Sequence, residues 1–308
     1  MSEKEQTILD LEPNTKILVT CGNSHLGSNV IKYLLERNVP SKNILTTVRS
    51  EAKGQKWKEK GIEIRIADYK NPESLEKAFE GVDRIYMVSS IGDKDCPRDK
   101  QHLNVIEAAK KCKVKLVVYS GFLNCDENTN LVADDHKYTE KILEESGLNY
   151  SISRNASYLE SQGELFKYLI KEENNILYNA CGDSKIALLL IRELGEAGAC
   201  ILLKKEPKKF YELSGVPCSF SDIKNAMEKI KGKEIKMVDV SIEENCEKCK
   251  ELGFGQYYAM LTKFMYTDYK NGVYGIKSND LQELLGHPIT TLEEGIKEVI
   301  NAPNYFPM

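Results

Sequence analysis

The chain has 308 residues, 41% hydrophobic and 29% charged, with a net charge of -4. That composition fits one large α/β domain with a smaller appended part, and its sign argues against nucleic-acid binding as the main task. Nine cysteines without framework spacing, no apolar run near the roughly 20 residues of a membrane span and no apolar leader set the expectation of a reducing, cytoplasmic location.

Strand-like segments at 16–20, 43–48, 63–67, 84–89, 115–120 and 150–154 alternate with helical patterns at 29–37, 52–60, 72–79, 99–112 and 135–146. Such alternation predicts a doubly wound (Rossmann) α/β domain over 14–155, a parallel sheet with helices on both faces. Ligands of such sheets bind beyond the carboxyl ends of the strands, so the residues after each strand are the ones to read. Past residue 155 the regularity loosens, with helical patterns at 164–171, 186–199, 220–230, 242–250, 257–269 and 278–285 and a short strand at 210–213. A smaller α+β lobe over 156–308, partly interwoven with the sheet, is expected to cover a nucleotide site and shape a substrate pocket.

The first strand runs into the turn Cys21-Gly22-Asn23-Ser24-His25-Leu26-Gly27 and then a helix with Val30, Ile31, Leu34 and Leu35 at helical spacing. A helix N-terminus leaves backbone N–H groups unpaired and suits a diphosphate. The turn is a degraded glycine fingerprint: Cys21 and Ser24 stand where the first two glycines would be, and Gly27 alone is in register.

The second strand ends at Val48-Arg49-Ser50 with Lys53 close behind and no acid at the strand end. An acid there would bond ribose hydroxyls; a guanidinium suits the 2′-phosphate of NADP, the alternative being an ordinary surface arginine. The third strand ends at Ala67-Asp68-Tyr69, where Asp68 could accept from an adenine amino group with Tyr69 alongside, or could be a turn or capping residue before Asn71-Pro72. The fourth ends at Ser89-Ser90-Ile91-Gly92, small enough for a dinucleotide to pass close, and the fifth at Ser120-Gly121-Phe122, near the place of a reacting nicotinamide.

The next helix carries His136-Lys137-Tyr138-Thr139-Glu140, without the Tyr-x-x-x-Lys pair of a classical short-chain dehydrogenase. His136 and Glu140 share a face at i, i+4 and could bond each other. An imidazole titrating near neutrality makes His136 the acid candidate, against the plain reading of a surface histidine at a helix start.

These residues resemble the NmrA-like branch of atypical short-chain dehydrogenase/reductases, most of all its NADPH-dependent quinone oxidoreductases. The resemblance rests on 17–20 with Leu26-Gly27, Val48-Arg49, Ala67-Asp68-Tyr69 with Pro72-Glu73-Ser74-Leu75, Asn104-Val105-Ile106-Glu107-Ala108-Ala109, His136 with Thr139-Glu140, and Ser146-Gly147-Leu148-Asn149-Tyr150 leading into Arg154-Asn155. It continues through Tyr211-Glu212-Leu213-Ser214-Gly215, Ser278-Asn279-Asp280-Leu281, Leu285-Gly286-His287-Pro288 and Thr291-Leu292-Glu293-Glu294. It implies NADP(H) as cofactor, a histidine near His136 in the reaction and a nicotinamide end lined by Asn155-Ala156-Ser157-Tyr158. The family turn usually reads Gly-Ala-Thr-Gly-x-Leu-Gly, and this chain departs from it at two of three glycines; a Cβ at Ser24 crowds a diphosphate while its hydroxyl offers a donor.

Cys246-Glu247-Lys248-Cys249 spells C-x-x-C with no second pair at metal spacing, so incidental helical thiols stand beside a metal or redox role. Cys21 could be an activated thiol at a helix N-terminus or a packed one. Asn155-Ala156-Ser157 spells a glycosylation sequon that a cytosolic chain would not use.

Two functions compete. In the first, NADPH passes hydride to a quinone or similar small electrophile, with Phe122, Tyr158 and Tyr178 touching substrate and His136 protonating the product oxygen. In the second, a non-catalytic NADP(H) redox sensor reports to a protein partner, which the missing Tyr-x-x-x-Lys pair and eroded glycines favour. Neither nucleic acid nor membrane is expected as a partner, and an oligomer is compatible with both.

Overall fold

The computed structural model describes residues 11–128, 131–171 and 173–303. The strands are β1 (Ile17–Val19), β2 (Ile44–Val48), β3 (Glu63–Ile66), β4 (Arg84–Met87), β5 (Leu116–Phe122) and β6 (Tyr150–Asn155). With Phe210–Leu213 they form a seven-stranded parallel sheet, ordered 210–213, β6, β5, β4, β1, β2, β3. Every residue of β1 and β2 is buried, as expected for parallel strands covered on both faces, whereas β3 is half-exposed at the edge. The chain builds outward from β1 to β3, then returns to lay β4 on the other side of β1. That reversal opens a crevice above the carboxyl ends of β1 and β4.

Helices α1 (His25–Glu36), α2 (Glu51–Lys58), α3 (Pro72–Phe79), α4 (Arg98–Lys111) and α5 (Leu131–Glu145) connect the strands. Leu75 and Phe79 of α3, Val105 and Ile106 of α4 and Leu143 of α5 share one apolar cluster with Leu18, Ile85, Val117 and Ile152 of the sheet. Each such side chain contributes about 1.5–3 kcal/mol on burial. The helix Ile191–Leu203 packs with α1. A Cβ at Gly195 would lie 2.5 Å from the Asn29 Cβ, and one at Gly198 would lie 2.6 Å from the Tyr86 ring. Those two glycines let the helix lie flush against α1 and β4. The buried Arg37–Glu196 pair, 2.8 Å, ties the end of α1 to the same helix, and His287 Nε2 stands 3.3 Å from the other Glu196 oxygen.

The chain divides into two units. The first holds residues up to Asn155 with Ile191–Leu213 and Asp280–His287; the second holds Ala156–Leu190, Ser214–Asn279 and the chain from Pro288. The strand Phe210–Leu213, expected in the smaller lobe, is thus an edge strand of the main sheet, paired with β6. The helix expected over 186–199 begins at Ile191 instead. Ile186 exchanges both backbone hydrogen bonds with Cys218, and Leu188–Leu189 pairs with Ser157–Tyr158. A short unbroken apolar run satisfies strand and helix alike, and only the partner decides. A second parallel pair, Ile176–Asn179 with Lys236–Asp239, has too few residues to show a period. In the second unit, capping boxes Ser219/Asp222, Ser241/Glu244 and Thr291/Glu294 fix three helix starts. Among the described residues no helix is long and apolar enough to cross a membrane.

Candidate functional site

Three strand ends and the turn after β1 line a cavity of about 700 Å³ in the first unit. Its walls include Cys21, Asn23 and Ser24 from the turn, Arg49 and Lys53 after β2, and Asp68, Tyr69 and Lys70 after β3. Ser89, Ser90, Ile91 and Asp93 after β4 and Gln101 of α4 also line it. Ten of the sequence-predicted positions therefore meet in one place.

The turn is shaped by hydrogen bonds at each step. Cys21 takes the left-handed region at φ 51°, and its N–H donates to Thr47 Oγ1 at 3.1 Å. Gly22 is required by packing, since a Cβ there would lie 1.9 Å from Thr46 Oγ1. Ser24 caps α1, its Oγ accepting the Gly27 N–H at 3.0 Å. A Cβ at Gly27 would lie 2.6 Å from the Cys21 carbonyl oxygen, so here the glycine serves helix–strand contact. Burial is the dominant influence on Cys21 and pushes its thiol up, which favours the packed reading over the activated one.

Arg49 and Lys53 stand exposed on the cavity wall, placing two cations at the end of β2. Asp68 Oδ1 accepts the Lys70 N–H at 2.9 Å, so it closes a turn while facing the cavity. The helix cap is Asn71, which accepts from Ser74. Tyr69 is buried, its hydroxyl bonded to Thr20 Oγ1 at 2.6 Å and the Val88 carbonyl at 2.9 Å. Lys70 pairs with Asp93 between the third and fourth strand ends, a contact that sequence reading missed. Ile91 is 82% exposed on the same wall. The Ser90 hydroxyl oxygen is buried and has no partner among the described residues.

Deeper along the strand ends the polar groups are bonded to one another. Ser90 N–H donates to His102 Nε2 at 3.1 Å, which leaves the His102 proton on Nδ1 to donate to Thr139 Oγ1 at 2.8 Å. Thr139 in turn donates to the Asp135 carbonyl at 2.8 Å. Burial and the Arg98 charge push the His102 imidazole down to about 3. Ser120 Oγ accepts the Ser89 N–H at 2.7 Å.

His136 is 6% exposed, stacks on Phe122 at 5.3 Å and meets the Tyr119 hydroxyl through Nδ1 at 2.6 Å. Burial, with Arg98 and His102 adding to it, holds its imidazole well below the usual range, which favours the neutral form. The expected bond to Glu140 is not made; Glu140 turns instead to Arg154 at 2.6 Å. Asp126 and Glu212 also pair with Arg154, each at 2.8 Å. Burial pushes the Glu140 carboxyl up while Arg154 pulls it down, and burial wins.

Gly22, His25, Leu26, Ser120, Gly121, Phe122 and Asn155 of the predicted set lie in the first unit but outside the cavity wall. At Gly121 a Cβ would come 2.8 Å from Ile152, which accounts for the glycine by packing. Asn155 is paired in register with Phe122, and both atoms of its buried amide lack partners among the described residues. Ser157 and Tyr158 belong to the second unit, where Ser157 Oγ bonds the Tyr269 hydroxyl at 2.5 Å. Tyr178 lines a void of about 10 Å³ there, room for one water and too small for a quinone. The C-x-x-C thiols pack inside that unit; burial pushes both up, Cys249 to about 12.

The NmrA-like family model matches residues 13–295. The chain belongs to the NmrA-like family. Among its relatives, quinone oxidoreductase 2 of Escherichia coli K12 is 32% identical over 293 residues, 94% of this chain and 100% of that protein. The structure of the E. coli NADPH-dependent quinone oxidoreductase complexed with NADPH matches at a TM-score of 0.85, with 30% identity over 92% of this chain and 100% of that one. A Citrobacter sp. triphenylmethane reductase complexed with NADP(H) matches at 0.86, with 30% identity and the same coverage.

Proposed function

We propose that this NmrA-like protein is an NADPH-dependent reductase of quinones or similar small electrophiles. The observation that carries the reading is the cavity at the strand-order reversal with Arg49 and Lys53, and no acid, at the end of β2. The identity and coverage shared with NADPH-dependent reductases support it.

The residues fit the cofactor. The N-terminus of α1 and the Ser24 hydroxyl would face the diphosphate. Arg49 and Lys53 would take the 2′-phosphate, and Asp68 the adenine amino group. The unpartnered Ser90 hydroxyl on the cavity wall is a buried polar group of the kind that a ligand completes. When bound, NADPH supplies the hydride. The protein orients it, and the neutral His136–Tyr119 pair holds a hydrogen bond in place without a charge change.

The proposal is tested by following NADPH oxidation with a panel of quinones from pH 5.5 to 8.5. Turnover is expected, with kcat/KM showing no inflection that depends on His136 in that range, because burial holds its imidazole well below the usual range. An inflection near 6.5 that disappears in His136→Gln would restore the general-acid role. NADPH binding without turnover would turn the reading to the redox sensor.

A further inference from the structure

We propose that Trp57 is a positioning residue of the nucleotide site, acting through Asn23 and Gly22 rather than on the nucleotide. The inference rests on the cavity being an NADPH site. A turn that receives a diphosphate must hold its N–H groups at fixed spacing. Glycine-rich turns do so by folding tightly, yet here Cβ atoms stand at Cys21 and Ser24.

Hydrogen bonds to α2 supply the missing constraint. The Trp57 indole N–H donates to the Gly22 carbonyl at 3.1 Å and to Asn23 Oδ1 at 3.1 Å. The Asn23 amide then donates to the Lys53 carbonyl. Trp57 is 4% exposed and absent from the cavity wall, so it would not touch the ligand. Lys56 and Lys60 lie over its ring at 4.6 and 5.7 Å from the centroid, holding it from the solvent side. Because Lys53 belongs to α2 and Arg49 just precedes it, one brace joins the diphosphate turn to the cations expected at the 2′-phosphate. Loosening the brace should weaken the grip on NADPH and leave the chemical step alone.

The chain has one tryptophan, so biosynthetic replacement by β-(3-benzothienyl)alanine changes position 57 only, putting sulfur for the indole N–H at nearly constant shape. The expected result is a rise in the KM for NADPH of about five- to tenfold, with kcat and the quinone KM unchanged. Trp57→Phe should lose at least as much, and Trp57→His, which keeps a ring N–H, should recover part of it. Asn23→Ala should itself raise the KM for NADPH, and combined with Trp57→Phe it should cost less than the sum of the two single losses, since both sit in one network. An unchanged KM for NADPH in the sulfur analogue, or a loss confined to kcat, would overturn the proposal. If calorimetry finds no NADPH binding to the unaltered chain, the site reading falls and takes this inference with it; binding that the analogue leaves intact removes the inference alone.

Discussion

The carboxyl edge of the sheet is built in two ways within a few strands. Above β1, β2 and β3 it is open and charged: Arg49 and Lys53 are exposed, and Lys70 after β3 pairs with Asp93 after β4 on the cavity wall. Toward β5 and β6 it is largely buried and bonded within itself, with Ser90, His102 and Thr139 bonded in sequence, Tyr119 bonded to His136 and Arg154 paired with Glu140. The first arrangement leaves its charges exposed, which suits the binding of an anion. In the second, burial lowers the affinity of His102 and His136 for a proton, so geometry rather than titration is what they offer. Function would divide along the same line, affinity on one side and orientation on the other.

The largest expected effect breaks the buried side. Arg154→Met strands Glu140 in a buried setting with its cation gone, which should cost about 3–5 kcal/mol. Urea unfolding reads this directly, and a loss below about 1 kcal/mol would mean that Glu140 simply takes up a proton.

A smaller effect sharpens the comparison through pH. His102 and His136 have folded-state values below the unfolded value of about 6.5. The unfolded chain therefore binds more protons below that point, so their contribution is intact above pH 6.5 and is lost as pH falls toward the folded values. Each imidazole should cost about 1.4 kcal/mol per pH unit in that window. Urea midpoints of the unaltered chain and His102→Asn between pH 7 and 5 test this, with the variant expected to slope less. Equal slopes would show that His102 is not held neutral.

How far the sequence reveals this arrangement differs between the two sides. Alternating segments predict the sheet, and Arg49, Asp68 and Ser90 are visible because strand ends in such a sheet converge by topology. Trp57 stays hidden because it lies 34 positions from Asn23 and reads as an ordinary apolar residue of α2. Lys70 and Asp93 look like loop charges until two strand ends are brought together. His136 misleads for a related reason: its neutrality comes from burial and from Arg98 and His102 on another helix, none of which its own neighbours announce. Phe210–Leu213 is legible as a strand, but four residues carry no mark of the sheet they will join.

The central claim is that the charged side is an NADPH site, and calorimetric titration of the unaltered chain and Arg49→Ala with NADPH and with NADH tests it most directly. Charge-assisted hydrogen bonds to the 2′-phosphate should favour NADPH by about 1.5–3 kcal/mol, roughly ten- to hundredfold, and Arg49→Ala should remove most of that preference while leaving NADH nearly unchanged. Equal affinities for the two nucleotides, or a preference that survives the loss of Arg49 and of Lys53 together, would contradict it.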